Sequence, residues 1–167
     1  MRPALQADAE ELSALIFENA AAILRPHYSA QQWAIFIKYY SIGSMQEKIQ
    51  EQDIYCAESD GQIVGTIALS VDFIVGFYTK LKFLHQGIGK IMMQYIEEIA
   101  LQKGLAEIKL AASPEGLAFY YKNGWQKIKD VVMVYYGVGF DETLMTKSLQ
   151  HTDNFLQETR TIDQRDI

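Results

Sequence analysis

Leu84-His85-Gln86-Gly87-Ile88-Gly89-Lys90 is the stretch on which the fold turns. Before it runs Asp72–Phe83, rich in β-branched and aromatic residues, with Gly76 inside it. After it comes a helical pattern from Ile88 to Gln102, with Ile91, Met92, Tyr95 and Ile99 spaced as one face. Glycines at a strand-to-helix junction let successive backbone N–H groups turn toward one point at a helix N-terminus, where the dipole favours an anion. A phosphate-bearing ligand is the physical implication. Spacing excludes two common phosphate loops. A P-loop needs glycine where Leu84 stands and Ser or Thr where Ile91 stands. A dinucleotide fingerprint needs its third glycine at the position of Met92. Taken alone, the stretch also reads as a helix cap whose glycines serve only the turn.

Upstream, helices dominate. Asp8 with Glu11 reads as the cap of a first helix carrying Leu12, Leu15, Ile16 and Ile23, which Arg25-Pro26 ends. Ser29 with Gln32 is a capping box before the apolar stripe Trp33, Phe36, Ile37 and Tyr40. Ser44 with Glu47 reads as the cap of a third, short helix. Two strands follow at Asp53–Glu58 and Ile63–Leu69, joined through Ser59-Asp60-Gly61 as a hairpin. Gly76 inside the next strand marks a bulge or a close backbone approach.

Downstream, Lys103-Gly104 stops the long helix and Glu107–Ala112 is a short strand. Pro114 suits the start of another helix, which Gly124 ends, and strands follow at Trp125–Tyr136 and Glu142–Leu149. The fold class read from this order is α/β (α+β by some schemes), a mixed sheet with helices on it. Residues 1–149 read as one domain. Residues 150–167 form a polar tail, helical or disordered.

Some thirty residues beyond the glycine loop, the next strand runs into Ser113-Pro114-Glu115-Gly116-Leu117-Ala118-Phe119-Tyr120-Tyr121-Lys122-Asn123-Gly124-Trp125. Here the chain resembles the GNAT superfamily of N-acetyltransferases, which use acetyl-CoA. Leu84–Gly89 lies on the family's Gln/Arg-x-x-Gly-x-Gly/Ala motif with both glycines in place. The later motif, Asn-x-x-Ala-x-x-Phe-Tyr-x-Lys-x-Gly-Phe, puts Ser113 on the Asn and Gly116 on the Ala. It puts Phe119-Tyr120 on Phe-Tyr, Lys122 on Lys, and Gly124-Trp125 on Gly-Phe. Gly61–Gly65, Met145-Thr146-Lys147 and the opening Arg2-Pro3-Ala4 with Asp8 agree, so the resemblance covers residues 2 to 149. Two departures stand out. Leu84 replaces a polar residue, which removes any side-chain phosphate contact there, and Ser113 is shorter than Asn.

The resemblance implies a GNAT-like fold, a mixed, mostly antiparallel central sheet of about six or seven strands flanked by helices, with acetyl-CoA as co-substrate. It implies that Phe77, Tyr78 and Thr79 line the pantetheine and acetyl end, their backbone pairing with it as a mock strand. Leu84, His85, Gln86, Gly87, Ile88, Gly89, Lys90, Ser113 and Lys122 are the remaining candidates for holding the cofactor. Tyr120 is the candidate general acid: a phenol near pKa 10 is protonated at neutral pH and can donate to a thiolate near 8.5. Its other reading is a core aromatic among Phe119-Tyr120-Tyr121.

A base is harder to read. Phe73–Phe83 carries no carboxylate; Asp72, Glu115 and His27 are the candidates, each read more readily as a surface residue than as a base. His27, Tyr28, Trp33, Tyr39, Tyr40, Tyr135 and Tyr136 are candidate walls of an acceptor site, although Trp33 and Tyr40 also fit plain core. The acceptor implied is a primary amine of a small molecule or peptide. A CoA-binding sensor without turnover is the alternative on the same scaffold, and a generic anion-binding domain is a third reading.

Composition bounds the rest. With 167 residues, 49% hydrophobic and 22% charged, the chain has globular composition and room for one core. A net charge of −6 argues against a general nucleic-acid binder, which needs a basic stripe. No run approaches the roughly 18 apolar residues of a membrane span. The acidic start is unlike a signal peptide, so the expected location is cytoplasmic. Cys56 is the single cysteine, read as a small buried apolar group in a reducing compartment. No His/Cys/Asp cluster has metal-ligand spacing, so no metal is expected. A homodimer through the late strands is the expected assembly.

Overall fold

A computed structural model describes residues 1–150; the tail at His151–Ile167 lies outside the described residues. A two-residue strand β1 (Arg2–Pro3) precedes three helices, α1 (Ala9–Ile23), α2 (Ala30–Tyr39) and α3 (Ile42–Glu51). Then come β2 (Asp53–Ser59), β3 (Gln62–Ser70), β4 (Phe73–Thr79), α4 (Ile88–Gln102), β5 (Glu107–Ala112), α5 (Leu117–Lys122), β6 (Gln126–Tyr135) and β7 (Val138–Ser148). All seven strands join one mixed sheet in the order β1-β2-β3-β4-β5-β7-β6. Every neighbouring pair is antiparallel except β4 with β5.

The sheet is covered on both faces. Met92, Met93, Ile96 and Ala100 of α4 pack with Val64, Ile67, Ile74, Ile108 and Leu110 on one side. Leu12, Leu15, Ile16 and Ala20 of α1, with Phe36 and Met45, pack with Ile54, Ile63 and Ala68 on the other. β3 is therefore buried on both faces, which is why Ile63–Leu69 reads as a continuous apolar run. Two tight hairpins frame the sheet. Asp60-Gly61 (φ 51° and 74°) joins β2 to β3, and Tyr136-Gly137 (φ 48° and 78°) joins β6 to β7, the left-handed pairs that match strand twist.

Several local expectations shift. Asp8 and Glu11 do not form a capping box. The Asp8 carboxylate instead accepts from the Leu5 N–H (2.7 Å) and both Arg2 guanidinium nitrogens (2.7 and 3.0 Å), and Glu11 accepts from the Ile63 N–H (3.0 Å). The third helix is capped by the Ser41 hydroxyl, which accepts from the Ser44 N–H, so it starts at Ile42. The Ser29–Gln32 box is present in both directions. The strand before the glycine loop ends at Thr79, because Leu81–Phe83 wind into a 3-10 turn. The last strand begins at Val138, four residues before Glu142, as the tight turn demands. The buried face of α4 is Met92, Met93, Ile96 and Ala100; Ile91 is 56% exposed.

Arg2 holds the Asp8 carboxyl below its ordinary value, and the backbone hydrogen bond from Leu5 acts in the same sense. A depressed folded-state value contributes stability above the unfolded value of 3.8 and loses it as pH falls. Asp8→Asn is expected to cost about 1–3 kcal/mol at pH 7, read from urea midpoints, with the deficit shrinking below pH ~4. An equal deficit at pH 3 and pH 7 would assign the loss to packing rather than to the ion pair.

Candidate active site at the strand split

β4 and β5 run parallel but pair only at their start, Phe73 opposite Lys109, where the Lys109 N–H donates to the Asp72 carbonyl (2.9 Å). Beyond that point the β4 edge facing β5 carries no recorded pairing, and the two strands feed separate turns. Gly76 (φ 57°) lies in a bulge: Thr66 pairs with Tyr78 and Ala68 with Val75, so Ile67 faces two residues, Gly76 and Phe77. Past the bulge, Phe77 and Tyr78 point to opposite faces of the sheet, as strand alternation requires.

On one face Phe77 meets Phe119 (ring centroids 5.5 Å) and Tyr120 (6.3 Å). Gly89, in the first turn of α4, lies against both: a Cβ there would stand 3.4 Å from the Phe119 ring and 3.5 Å from Phe77. The glycine loop, the β4 strand and the later motif are thus brought to one place. His85 (φ 60°) and Gly87 (φ 83°) turn the loop through left-handed geometry into α4. The first intrahelical bond runs from the Ile91 N–H to the Gly87 carbonyl (3.1 Å), which leaves the Ile88, Gly89 and Lys90 amides without an intrahelical acceptor. Open space surrounds the Gly87 Cα, so an anion has access to them. Lys90 and Lys122 are exposed on the flanking helices, as are His85 and Gln86. The Gln86 amide donates to the Lys82 carbonyl within its own loop (2.9 Å), and Leu84 is half-buried.

Tyr120 is half-buried, its ring packed on Phe119 (5.6 Å) and Trp125 (5.9 Å). Gly116 makes room for it, since a Cβ there would lie 3.0 Å from the Tyr120 ring. That close approach explains a glycine where relatives have Ala. Burial, followed by the charge of Glu142, pushes the Tyr120 phenol far above its ordinary value, so it carries its proton throughout the physiological range. Ser113 stands at the end of β5, its carbonyl accepting from the Gly116 N–H (3.0 Å). The Thr79 carbonyl is taken by the buried Asn19 side chain of α1 (2.7 Å), a tie that fixes where β4 ends.

On the opposite face the aromatic side chains form a closed ring of contacts. Tyr78 meets Tyr40 (5.5 Å), Tyr40 meets Tyr39 (4.9 Å), Tyr39 meets Tyr135 (5.0 Å) and Tyr135 meets Phe140 (5.6 Å). Phe140 meets Tyr28 (5.3 Å), Tyr28 meets Phe36 (6.2 Å), and Phe36 returns to Tyr78 (6.2 Å). Burial raises the phenols of Tyr28, to about 12, and of Tyr78, well above the usual range. The other sequence candidates lie elsewhere. Trp33 stacks on Phe36 at 5.5 Å toward the outer side, under Arg25. Tyr136 is 55% exposed beneath Lys38, and His27 sits on the rim 3.6 Å from Glu115. Asp72 pairs with Lys109 (3.3 Å) at the far end of β4.

One residue was missed by sequence reasoning. Glu142 lies on β7 beside the ring, and burial raises its carboxyl to about 7. The usable signal was alternation: Val138, Phe140, Glu142 and Leu144 share one face of β7, and a carboxylate on an apolar phase is a polar group withdrawn from water. Among the described residues no cluster of three or more His, Cys, Asp or Glu side chains could hold a metal, and no helix is long and apolar enough to cross a membrane. Cys56 is buried and its thiol is raised to about 12, which suits packing rather than nucleophilic chemistry.

Comparison with known proteins agrees with this geometry. The family model of the acetyltransferase (GNAT) domain matches residues 24–149. A spermidine N(1)-acetyltransferase of Thermoplasma acidophilum is 32% identical over 81 residues, 44% of this chain and half of that protein's length. The uncharacterized protein YyaT of Bacillus subtilis is 32% identical over 113 residues, 64% of this chain and 70% of YyaT. In fold, the chain is similar to a GCN5-related N-acetyltransferase from Rhodopseudomonas palustris (TM-score 0.82, 23% identity, 89% of this chain and 94% of that one). It is similar also to the PaiA N-acetyltransferase of Thermoplasma acidophilum, solved with coenzyme A (TM-score 0.75, 22% identity, 88% and 96%). With the family model spanning most of its length and the split sheet in place, the chain belongs to the GNAT family of acetyltransferases.

Proposed function

We propose that this protein moves an acetyl group from acetyl-CoA to a primary amine of a small molecule or peptide, by direct attack in a ternary complex. One observation carries the reading: the glycine loop, β4 and α5 converge at the strand split, with a protonated Tyr120 at their meeting point. Acetyl-CoA supplies the activated thioester. The amides of Ile88, Gly89 and Lys90 suit its phosphates, aided by Lys90 and Lys122. The free β4 edge suits its pantetheine, and Tyr120 donates the proton that the departing thiolate needs. The outward-facing Val132 (62% exposed) and Val134 (64%) on the edge strand β6 favour pairing of two copies there.

The direct test is acetyl-CoA titration followed by thiol release across a panel of alkylamines, polyamines and peptides. Saturable acetyl-CoA binding with thiol release for at least one amine is expected. Binding without release from any acceptor would instead identify a CoA-sensing module, and no binding would overturn both.

A further inference from the structure

Glu142 is the second residue after Phe140 on β7, so the two side chains leave the same face of the strand. The β5 ladder ends with Ala112 opposite Thr143, which places Glu142 one residue past the end of β5, at the mouth of the split. Its charge is felt by the phenols of Tyr28, Tyr39, Tyr40 and Tyr135 in the ring, and by Tyr120 across the split. None of the ion pairs among the described residues includes it. Glu142 is thus a half-buried carboxylate on the strand face it shares with Phe140 of the ring, with no cation paired to it among the described residues.

Resting on the acetyl-transfer reading above, we infer that Glu142 binds the alkylammonium group of the acceptor beside the tyrosine ring and takes its proton. The step balances. The carboxylate accepts one N–H proton, leaving a neutral amine whose lone pair forms the N–C bond to the thioester carbonyl. When the C–S bond breaks, its electron pair leaves with sulfur, and Tyr120 protonates the thiolate. The amide nitrogen then returns a proton to the Tyr120 phenolate, and Glu142 releases its own to solvent. Its raised carboxyl helps: an alkylammonium near 10.4 lies about 6 units above an ordinary Glu near 4.3, but only about 3.4 above a carboxyl near 7. The tyrosine faces add cation–π attraction for the same ammonium. Other carboxylates are committed: Asp72 to Lys109, and Glu115, which also acts on Tyr28, to the His27 rim contact.

The test uses the full chain, Glu142→Gln and Glu142→Asp, with acetyl-CoA and two acceptors of similar size. One is an alkylamine charged at pH 7; the other is an alkoxyamine already neutral there. Wild-type kcat/KM for the alkylamine is expected to rise with pH through about 7, as the carboxyl ionises. Glu142→Gln is expected to lose that limb and about 50- to 100-fold in kcat/KM for the alkylamine, but only a few-fold for the alkoxyamine, with acetyl-CoA affinity unchanged. Glu142→Asp retains the limb at lower kcat. A Gln variant that keeps the limb, or loses both acceptors equally, overturns the inference while leaving acetyl transfer intact. A wild-type protein that binds acetyl-CoA and turns over neither these two amines nor any other acceptor of the panel overturns the acetyl-transfer reading itself.

Discussion

Tyr120→Phe is expected to lower kcat by about 10²- to 10³-fold while leaving acetyl-CoA affinity within about twofold of wild type. The substitution removes one hydroxyl and nothing else. The ring keeps its contacts with Phe77 at 6.3 Å, Phe119 at 5.6 Å and Trp125 at 5.9 Å, so the wall of the cleft stays in place. On the proposed mechanism what disappears is the proton for the leaving thiolate, a need that arises only as the C–S bond breaks. Loss confined to the transition state lowers kcat and kcat/KM together. Stability should be unchanged within about 1 kcal/mol, because Tyr120 is only half-buried and its hydroxyl makes no side-chain hydrogen bond among the described residues. Thiol release at saturating amine, with calorimetry for acetyl-CoA, makes the comparison. An unchanged kcat would return Tyr120 to the role of a packing aromatic.

How much of this was legible in the sequence depends on where local chemistry sets a boundary. The helix at Ile88–Gln102 and the strand at Glu107–Ala112 could be delimited to the residue, since left-handed glycines at 87 and 104 punctuate them. The two motifs pointed to Tyr120 and the glycine loop, which the fold brings to one place. The face of α4 was not fixed in the same way. Ile91, Met92, Tyr95 and Ile99 have the same spacing as Met92, Met93, Ile96 and Ala100, one residue on. With apolar residues on both phases, periodicity leaves the helix free to rotate by about 100°, and only packing on β3 decides. Glu142 was lost for a related reason. Reading the last strand from Glu142 onward discarded Val138 and Phe140, the residues that define which face the carboxylate shares. The aromatic ring joins α2, β4, β6 and β7 across more than a hundred positions, and no local pattern encodes such a closure.

Gly65 carries the second large effect, on stability and through it on the cofactor loop. It lies in β3 against Met92 of α4: a Cβ there would stand 2.6 Å from Met92 Sδ, 2.7 Å from Met92 Cε and 3.3 Å from the Tyr78 carbonyl oxygen. Met92 is fully buried, so its thioether can yield only into neighbouring side chains. Overpacking of this kind costs about 1–3 kcal/mol, and roughly 2–4 °C of Tm per kcal/mol in a chain of this size. Gly65→Ala is therefore expected to lower Tm by about 2–12 °C. Gly65→Val should lower it further, because its branched carbon also presses the Tyr78 carbonyl, which is backbone and cannot rotate away. Met92→Ala alone leaves a cavity and costs about 2–5 kcal/mol. In the double variant the new methyl fills part of that cavity, so the combined loss should fall short of the sum by about 1–2 kcal/mol. Met92 lies one turn into α4 from Gly89, and a helix pushed off β3 displaces the Ile88–Lys90 amides with it. Acetyl-CoA affinity should accordingly drop in Gly65→Ala and recover in the double variant. Strict additivity of the two stability losses would mean that Gly65 and Met92 do not meet, and that α4 is set on the sheet by other contacts.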